Sequence, residues 1–376
     1  MSRILIITGE ASGDLHGAHL AEAIAARDPS AQLVGIGGAG MRAAGVTMIP
    51  GIPQLDVMGL IGLSAVRFLI RRVLAIRRVL KAERWDLVVL IDNPGLNFHF
   101  ARVAKAAGLR VVYYIAPQLW AWRPGRMKRI QRHVDHVVVI LPFEEELYRR
   151  AGVRCTFVGH PLLDSVASYY DRSTLRAKHN LDASAPVVGL LPGSRVAEVS
   201  MLLPVLLETA RRLAASDPKT QFLLAQASSI DDNLLHNLLR PSPVPVVVAK
   251  DQSSEVMAAS DVLLVASGTA TLQAAVVGTP MVLLYKTTWP TYWLARWLVR
   301  VPWIGLVNLV AGRSIVPELI QDEATAEGVW RETRGLLTDR QAYDDMKKGL
   351  REVRQSLGEP GASRRAAEVV LAECRA

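Results

Sequence analysis

The sequence predicts an α/β protein built from two doubly wound, Rossmann-like domains facing a cleft, and three observations carry that expectation. Short apolar runs recur along the chain and alternate with helix-compatible segments. Several runs end in small, glycine-rich turns, where open parallel sheets bind ligands. Half of the 376 residues are hydrophobic and only 6% are aromatic, which suits the aliphatic cores of parallel sheets. The length suits two domains.

The clearest unit is Val262–Ala266, Ser267-Gly268-Thr269, Ala270–Val277, Gly278-Thr279-Pro280 and Met281–Tyr285. It reads as strand, tight turn, helix, turn and strand. The turn aims N–H groups and hydroxyls from a helix N-terminus above the sheet, which favours phosphate or sugar hydroxyls. Asp261 to Lys286 carries no charge between its ends, but Ser267, Thr269, Thr271, Gln273 and the Gly-Thr-Pro break make a membrane span costly.

The net charge of +9 favours anionic partners such as nucleotides, phospholipid head groups or nucleic acid. Cys155 and Cys374 have no metal-ligand spacing and are too few for a disulfide framework, so a reducing, cytoplasmic setting is expected. Met1-Ser-Arg leads straight into an apolar strand rather than the long apolar stretch of a signal peptide.

In the first domain, placed at 1–168, Ile4–Thr8 reads as a buried strand. It is followed by Gly9-Glu10-Ala11-Ser12-Gly13-Asp14, from which Glu10, Ser12 and Asp14 project near the sheet top. Gly35-Ile-Gly37-Gly38-Ala-Gly40 matches the dinucleotide fingerprint. However, only Met41–Ala44 precede Gly45 and Asp56 is poorly spaced for a ribose, so no dinucleotide cofactor is expected. Val57, Met58, Leu60 and Leu63 are apolar and glycine-punctuated. They lead into Val66–Leu80, where Phe68 and other apolar residues alternate with Arg71, Arg72 and further cations. Two readings compete: a domain helix with a solvated basic face, or a helix lying on an anionic membrane surface.

Leu87–Ile91 ends in Asp92-Asn93-Pro94, placing a carboxylate at a parallel strand's carboxyl end. After the strand Arg110–Ile115, Trp120 and Trp122 beside several cations could stack on a sugar or sit at a lipid interface. They occupy one short loop rather than a basic groove, which argues against nucleic acid. Gly159-His160-Pro161 closes the domain, and polar Ser165–His179 reads as a linker and entry into the second domain.

The second domain, placed at 169–340, opens with Val187–Leu191 and Pro192-Gly193-Ser194-Arg195 ahead of a helix. Glycine permits close approach, the following N–H groups point outward, and Arg195 offers a fork to a diphosphate. The Gly-Lys-Ser/Thr of a P-loop is missing. Trp289, Trp293 and Trp297 recur at helical spacing with Arg296 and Arg300, another face that mixes tryptophan and arginine. Helices over 341–376 either fold back on the first domain or are exchanged in a homodimer.

Gly9-Glu-Ala-Ser-Gly-Asp14, Asp92-x-Pro94, Trp120-Ala-Trp122-Arg123, Phe157-x-Gly-His160-Pro161, Leu191-Pro-Gly-Ser-Arg195, Ala266-Ser-Gly-Thr269 and Asn308-Leu-x-Ala-Gly-Arg313 together resemble the lipid-A-disaccharide synthases, in order and spacing. The resemblance implies a GT-B fold. It implies transfer of 2,3-diacylglucosamine from its UDP donor to 2,3-diacylglucosamine 1-phosphate (lipid X) on the cytoplasmic face of the inner membrane. It adds Ser267, Gly268, Thr269, Gln273, Asn308 and Arg313 to the donor side. Asp92 is then the expected base, and the absence of any Asp-x-Asp fits transfer without a metal. Gly95 and Gln273 stand where the family usually has acidic residues. A GT-B transferase or epimerase acting on other UDP-sugars, and a peripheral membrane protein without catalysis, are the alternatives.

Overall fold

The computed structural model of the chain describes residues 2–50, 52, 63–82, 84–120, 124–242, 244–298 and 301–375. It divides into two compact units, Met1–Asp164 with Leu357–Ala376, and Ser165–Ser356.

The first unit runs β1 (Arg3–Ile7), α1 (Ala11–Arg27), β2 (Gln32–Ile36), α2 (Ala39–Ala43), β3 (Thr47–Met48), α3 (Leu63–Ala82), β4 (Leu87–Ile91), α4 (Pro94–Ala106), β5 (Val111–Tyr114), α5 (Met127–His133), β6 (His136–Val139), α6 (Pro142–Arg150), β7 (Cys155–Phe157) and α7 (Leu162–Ser165). Its seven parallel strands are ordered β3-β2-β1-β4-β5-β6-β7. Ile4–Ile7 and Leu87–Ile91 are fully buried, because helices cover both faces of the sheet and strand side chains alternate between them. Leu5, Ile7, Val88 and Leu90 face one core, and Ile4, Ile6, Leu87 and Val89 the other.

The second unit holds α8 (Arg172–Lys178), β8 (Val187–Leu191), α9 (Val196–Ser216), β9 (Gln221–Gln226), α10 (Asp232–Leu239), β10 (Val247–Lys250), α11 (Ser253–Ala259), β11 (Val262–Ala266), α12 (Thr269–Val277), β12 (Met281–Tyr285), α13 (Trp289–Leu298), α14 (Leu306–Ala311), β13 (Glu318–Ile320), α15 (Ala326–Thr338) and α16 (Arg340–Ser356). Its parallel strands are ordered β10-β9-β8-β11-β12-β13. The order reverses at β8, so the carboxyl ends of β8 and β11 flank a topological switch point.

The structure moves both expected boundaries. Ser165–His179 belongs to the second unit, which it was expected to enter, and it holds α8. Asp171 accepts the Ser173 N–H at 3.0 Å and caps α8, and buried Arg176 reaches Asp261 at 2.7 Å and the carbonyls of Ala259 and Ala183. That guanidinium ties α8 to the second unit.

The C-terminal helices also part company. On α16, Met346, Leu350 and Val353 are buried within the second unit. The last helix, α17 (Ala362–Arg375), packs on α1 and places Ala366, Ala367, Val370 and Leu371 in the first unit's core. Glu373, 1% exposed, pins α17 by accepting from Arg110 at 2.5 Å and contacting His136 at 3.0 Å.

The basic helix α3 is present, but its arginines differ. Successive residues turn 100° apart. Arg71 is therefore exposed with Ile70 and Leu74, while Arg72 is 4% exposed and turned into the unit, where burial lowers its pKa. Arg72 is thus removed from the surface expected to meet lipid. Val57, Met58 and Leu60 lie outside the described residues, as do the side chains of Leu63 and Phe68. Among the described residues no helix is long and apolar enough to cross a membrane.

Candidate active site

In the first unit, β1 and β4 lie side by side and bring Gly9 beside Asp92-Asn93. A Cβ built on Gly9 would stand 2.1 Å from the Asn93 amide nitrogen, so this position tolerates no side chain without moving Asn93. Asp92 and Asn93 both sit in the left-handed region, with φ of 49° and 42°. Such backbone costs about 1–3 kcal/mol per residue unless its surroundings impose it. Here they do. Buried Asn97 donates to the carbonyls of Ile91 at 3.0 Å and Asp92 at 2.6 Å, and Tyr113 Oη donates to the Asp92 carbonyl at 2.6 Å. Pro94 then opens α4 at a position that needs no N–H. The partly buried Asp92 carboxyl is pushed above the usual carboxylate range by desolvation, against the pull of the Asn93 N–H. Gly95 is exposed, with nothing closer to a built Cβ than 3.5 Å.

His160 and His16 form a second feature of this unit. His160 is 7% exposed, and its Nδ1 accepts the Leu162 N–H at 3.1 Å. Burial lowers both rings to about 4, and each also feels a neighbouring histidine: His16 acts on His160, and His19 on His16. Both are neutral at pH 7.

The remaining predictions in this unit divide. Glu10 and Ser12 are exposed at the start of α1. Asp14 is a structural anchor instead. Its Oδ1 accepts from Gly38 N at 2.6 Å and Met41 N at 3.2 Å, and its Oδ2 from Gly40 N at 2.8 Å. A Cβ on Gly37 or Gly40 would lie 3.2 or 2.9 Å from that carboxylate. The fingerprint-like glycines therefore wrap the chain's own anion. Trp122 lies outside the described residues, while Trp120 donates to Glu144 at 2.9 Å and packs edge-on against Phe143. Glu144 is 1% exposed, and burial pushes it up to about 7.

In the second unit, one cavity of about 410 Å³ gathers residues from the carboxyl ends of β8, β9, β10 and β11. Gly193, Ser194, Arg195, Ser267, Gly268, Thr269 and Gln273 all line it. Gly193 has φ 112° and Gly268 φ 152°, conformations that free the following N–H groups to face outward at the starts of α9 and α12. Arg195 pairs with Glu198 at 2.7 Å, and a Cβ on Gly193 would come 2.6 Å from the Glu198 carboxylate. Gln273 donates to Ser254 Oγ at 2.7 Å.

Sequence reasoning missed Glu198, Gln226, Ser228, Asp251 and Ser253 on the same wall. The signal was available in part, because Ala227-Ser228-Ser229 follows a strand just as Ser267-Gly268-Thr269 does.

Asn308 and Arg313 are not brought to this cavity. Asn308 is fully buried; its amide donates to Val316 O at 3.0 Å and Glu318 at 2.7 Å, and its oxygen accepts from Ile315 and Val316 N–H. Glu318 accepts in turn from Ile304 and Gly305 N–H, and Ser267 Oγ donates to Ile304 O at 3.4 Å. Asn308 thus reaches the Ser267 turn only through this loop. Arg313 is exposed and pairs with Glu352 at 2.6 Å.

A family model described as lipid-A-disaccharide synthetase matches residues 4–372. The chain is 45% identical over 370 residues to the lipid-A-disaccharide synthase of Geobacter metallireducens, covering 98% of this chain and 96% of that one. It is 41% identical over 373 residues to that of Myxococcus xanthus, covering 98% and 97%. Among solved structures it resembles UDP-GlcNAc 2-epimerase from Neisseria meningitidis bound to UDP-GlcNAc, with TM-score 0.67, 13% identity and 98% and 100% of the two chains covered. It also resembles Acinetobacter baumannii MurG, with TM-score 0.61, 14% identity and coverage of 99% and 100%. These distant likenesses carry the fold, a GT-B-type α/β architecture. Near-complete coverage at over 40% identity carries more: the chain belongs to the lipid-A-disaccharide synthase family.

Proposed function

We propose that the chain catalyses its family's hexosyl transfer with Asp92 as base and the second unit's cavity as the UDP site. In this reading 2,3-diacylglucosamine moves from its UDP donor to lipid X, giving the β-1,6 disaccharide and UDP on the cytoplasmic face of the inner membrane. The observation that carries the donor side is the convergence of two glycine turns and two helix N-termini on one cavity. Its volume of about 410 Å³ falls in the range of small-molecule sites.

Asp92 takes the proton of the acceptor 6-hydroxyl as that oxygen bonds to the donor's anomeric carbon. The bond from that carbon to the diphosphate breaks on the opposite face, and its electron pair leaves with UDP. A carboxyl held above its ordinary pKa is a stronger base once ionised, and desolvation of Asp92 supplies that. N–H groups after Gly193 and Gly268 meet the charge that grows on the diphosphate. Arg195 joins them by exchanging Glu198 for the incoming anion. The exposed pair it gives up contributes only about 0–1 kcal/mol, so the exchange is favourable. Asn308 and Glu318 act as positioning residues by holding Ile304 against Ser267.

Exposed Ile70, Arg71, Leu74, Arg78 and Lys81 on α3 support attachment to an anionic membrane surface, where each cation contributes about 1 kcal/mol. Purified protein given UDP-2,3-diacylglucosamine and lipid X should release disaccharide and UDP. Asp92→Asn should lower kcat by roughly 10²–10⁴-fold with UDP affinity unchanged. Wild-type turnover in that variant would remove Asp92 from the base role.

A further inference from the structure

Among the described residues Leu15, Tyr169, Val196 and Val248 are exposed apolar side chains that stand singly, and single ones need no explanation. On α13 they do not. Trp289, Trp293 and Trp297 fall at i, i+4 and i+8 and are 48%, 59% and 80% exposed, with Leu294 beside them at 57%. Residues four apart share one helix face, so this is a continuous stripe. Trp289 and Trp293 stack at 6.4 Å between centroids, which holds the stripe as one surface. Arg296 also lies exposed on the helix and donates to Tyr292 Oη at 3.1 Å.

Charge selects the occupant. From Lys286 to Arg313 the sequence carries four basic side chains and no acidic one; Arg296 stands on the helix itself, Lys286 donates to the Ala324 carbonyl, Arg313 pairs with Glu352 and Arg300 falls outside the described residues. Tryptophan prefers the headgroup level of a bilayer, and cations beside it meet anionic lipid. A protein partner would be expected to set an acidic group against Arg296, and a second copy of the same stripe would bring arginine to arginine.

We propose that α13 is a membrane-docking element of the second unit, with its tryptophan stripe seated in the headgroup region of an anionic bilayer. The surface is separate from α3, which belongs to the first unit. Each unit then carries its own lipid contact, and the unit that binds the nucleotide is held at the surface from which a diacylated donor must come. That last consequence rests on the transfer reading; the docking itself does not.

The test uses the full chain and vesicles of phosphatidylglycerol and phosphatidylcholine. Trp289→Ser, Trp293→Ser and Trp297→Ser combined should weaken partition at least tenfold, with UDP affinity and melting midpoint unchanged. Vesicles with brominated acyl chains should quench wild-type tryptophan emission, and most of that quenching should vanish in the triple variant. Trp297→Asp alone, at the most exposed position, should weaken partition about threefold or more and guards against a folding artefact. Wild-type partition in both variants would overturn the proposal. So would a wild-type dimer that the triple variant dissociates while its vesicle binding stays intact, since a second copy would then be the occupant. Vesicle partition, quenching and melting involve no glycosyl donor or acceptor, so failure of the transfer reading would leave this result standing.

Discussion

Gly37–Gly40 in the first unit and Gly193–Arg195 in the second are both glycine turns at the carboxyl end of a parallel strand, and both open a helix. Their fates are opposite. The first is filled by the chain's own Asp14, which takes three N–H groups within 3.2 Å. The second lines a cavity, and the nearest carboxylate, Glu198, is already shared with Arg195. A glycine turn marks backbone that can bind an anion; whether it binds a ligand depends on whether the protein has supplied the anion itself.

That contrast can be broken at several points. Gly193→Val should have the largest effect. It forces a β-branched residue to φ 112° and a Cβ to within 2.6 Å of Glu198, so UDP affinity should fall at least hundredfold, about 3 kcal/mol or more, by calorimetry. Asp14→Ala should leave UDP affinity alone yet cost about 3 kcal/mol of stability, because three N–H groups, two of them part-buried and one buried, lose their acceptor. Thermal melting checks it, and loss of nucleotide binding without loss of stability would reverse the assignment of the two turns.

Glu144 gives the smallest effect and sharpens what burial does to such an anchor. It closes the Trp120 loop as Asp14 closes its turn, but it is pushed up to about 7. The native state therefore holds a proton there that the unfolded state loses near pH 4.5. The stability this gives is full below 4.5 and lost as pH rises through about 7. Wild type should lose about 2 kcal/mol more than Glu144→Gln between pH 5 and 7 in denaturant titrations. Parallel curves would contradict it.

Much of the fold was legible because buried parallel strands are apolar end to end and bounded by breakers. Leu87–Ile91, Val187–Leu191, Val262–Ala266 and Met281–Tyr285 stand where the pattern puts them. The apolar run around Val244 yields a strand only from Val247, beyond Pro245, which cannot donate to the ladder. Two-residue β3 and three-residue β13 are too short to leave a period, and α8 is too polar. The site divides the same way. The turns at Gly193 and Gly268 announce themselves locally through glycine and hydroxyls. Asp14 finds its partners 24 to 27 residues away. Asn308 spends its amide on folding its own loop, and Arg72 differs from Arg71 only by 100° of helix. No residue type records those differences.

The crystal structure of the full chain with UDP is the measurement closest to the central claim. The diphosphate should lie within about 3 Å of the N–H groups following Gly193 and Gly268, with Arg195 turned from Glu198 towards it. A nucleotide seated elsewhere, with Arg195 still on Glu198, would contradict the account.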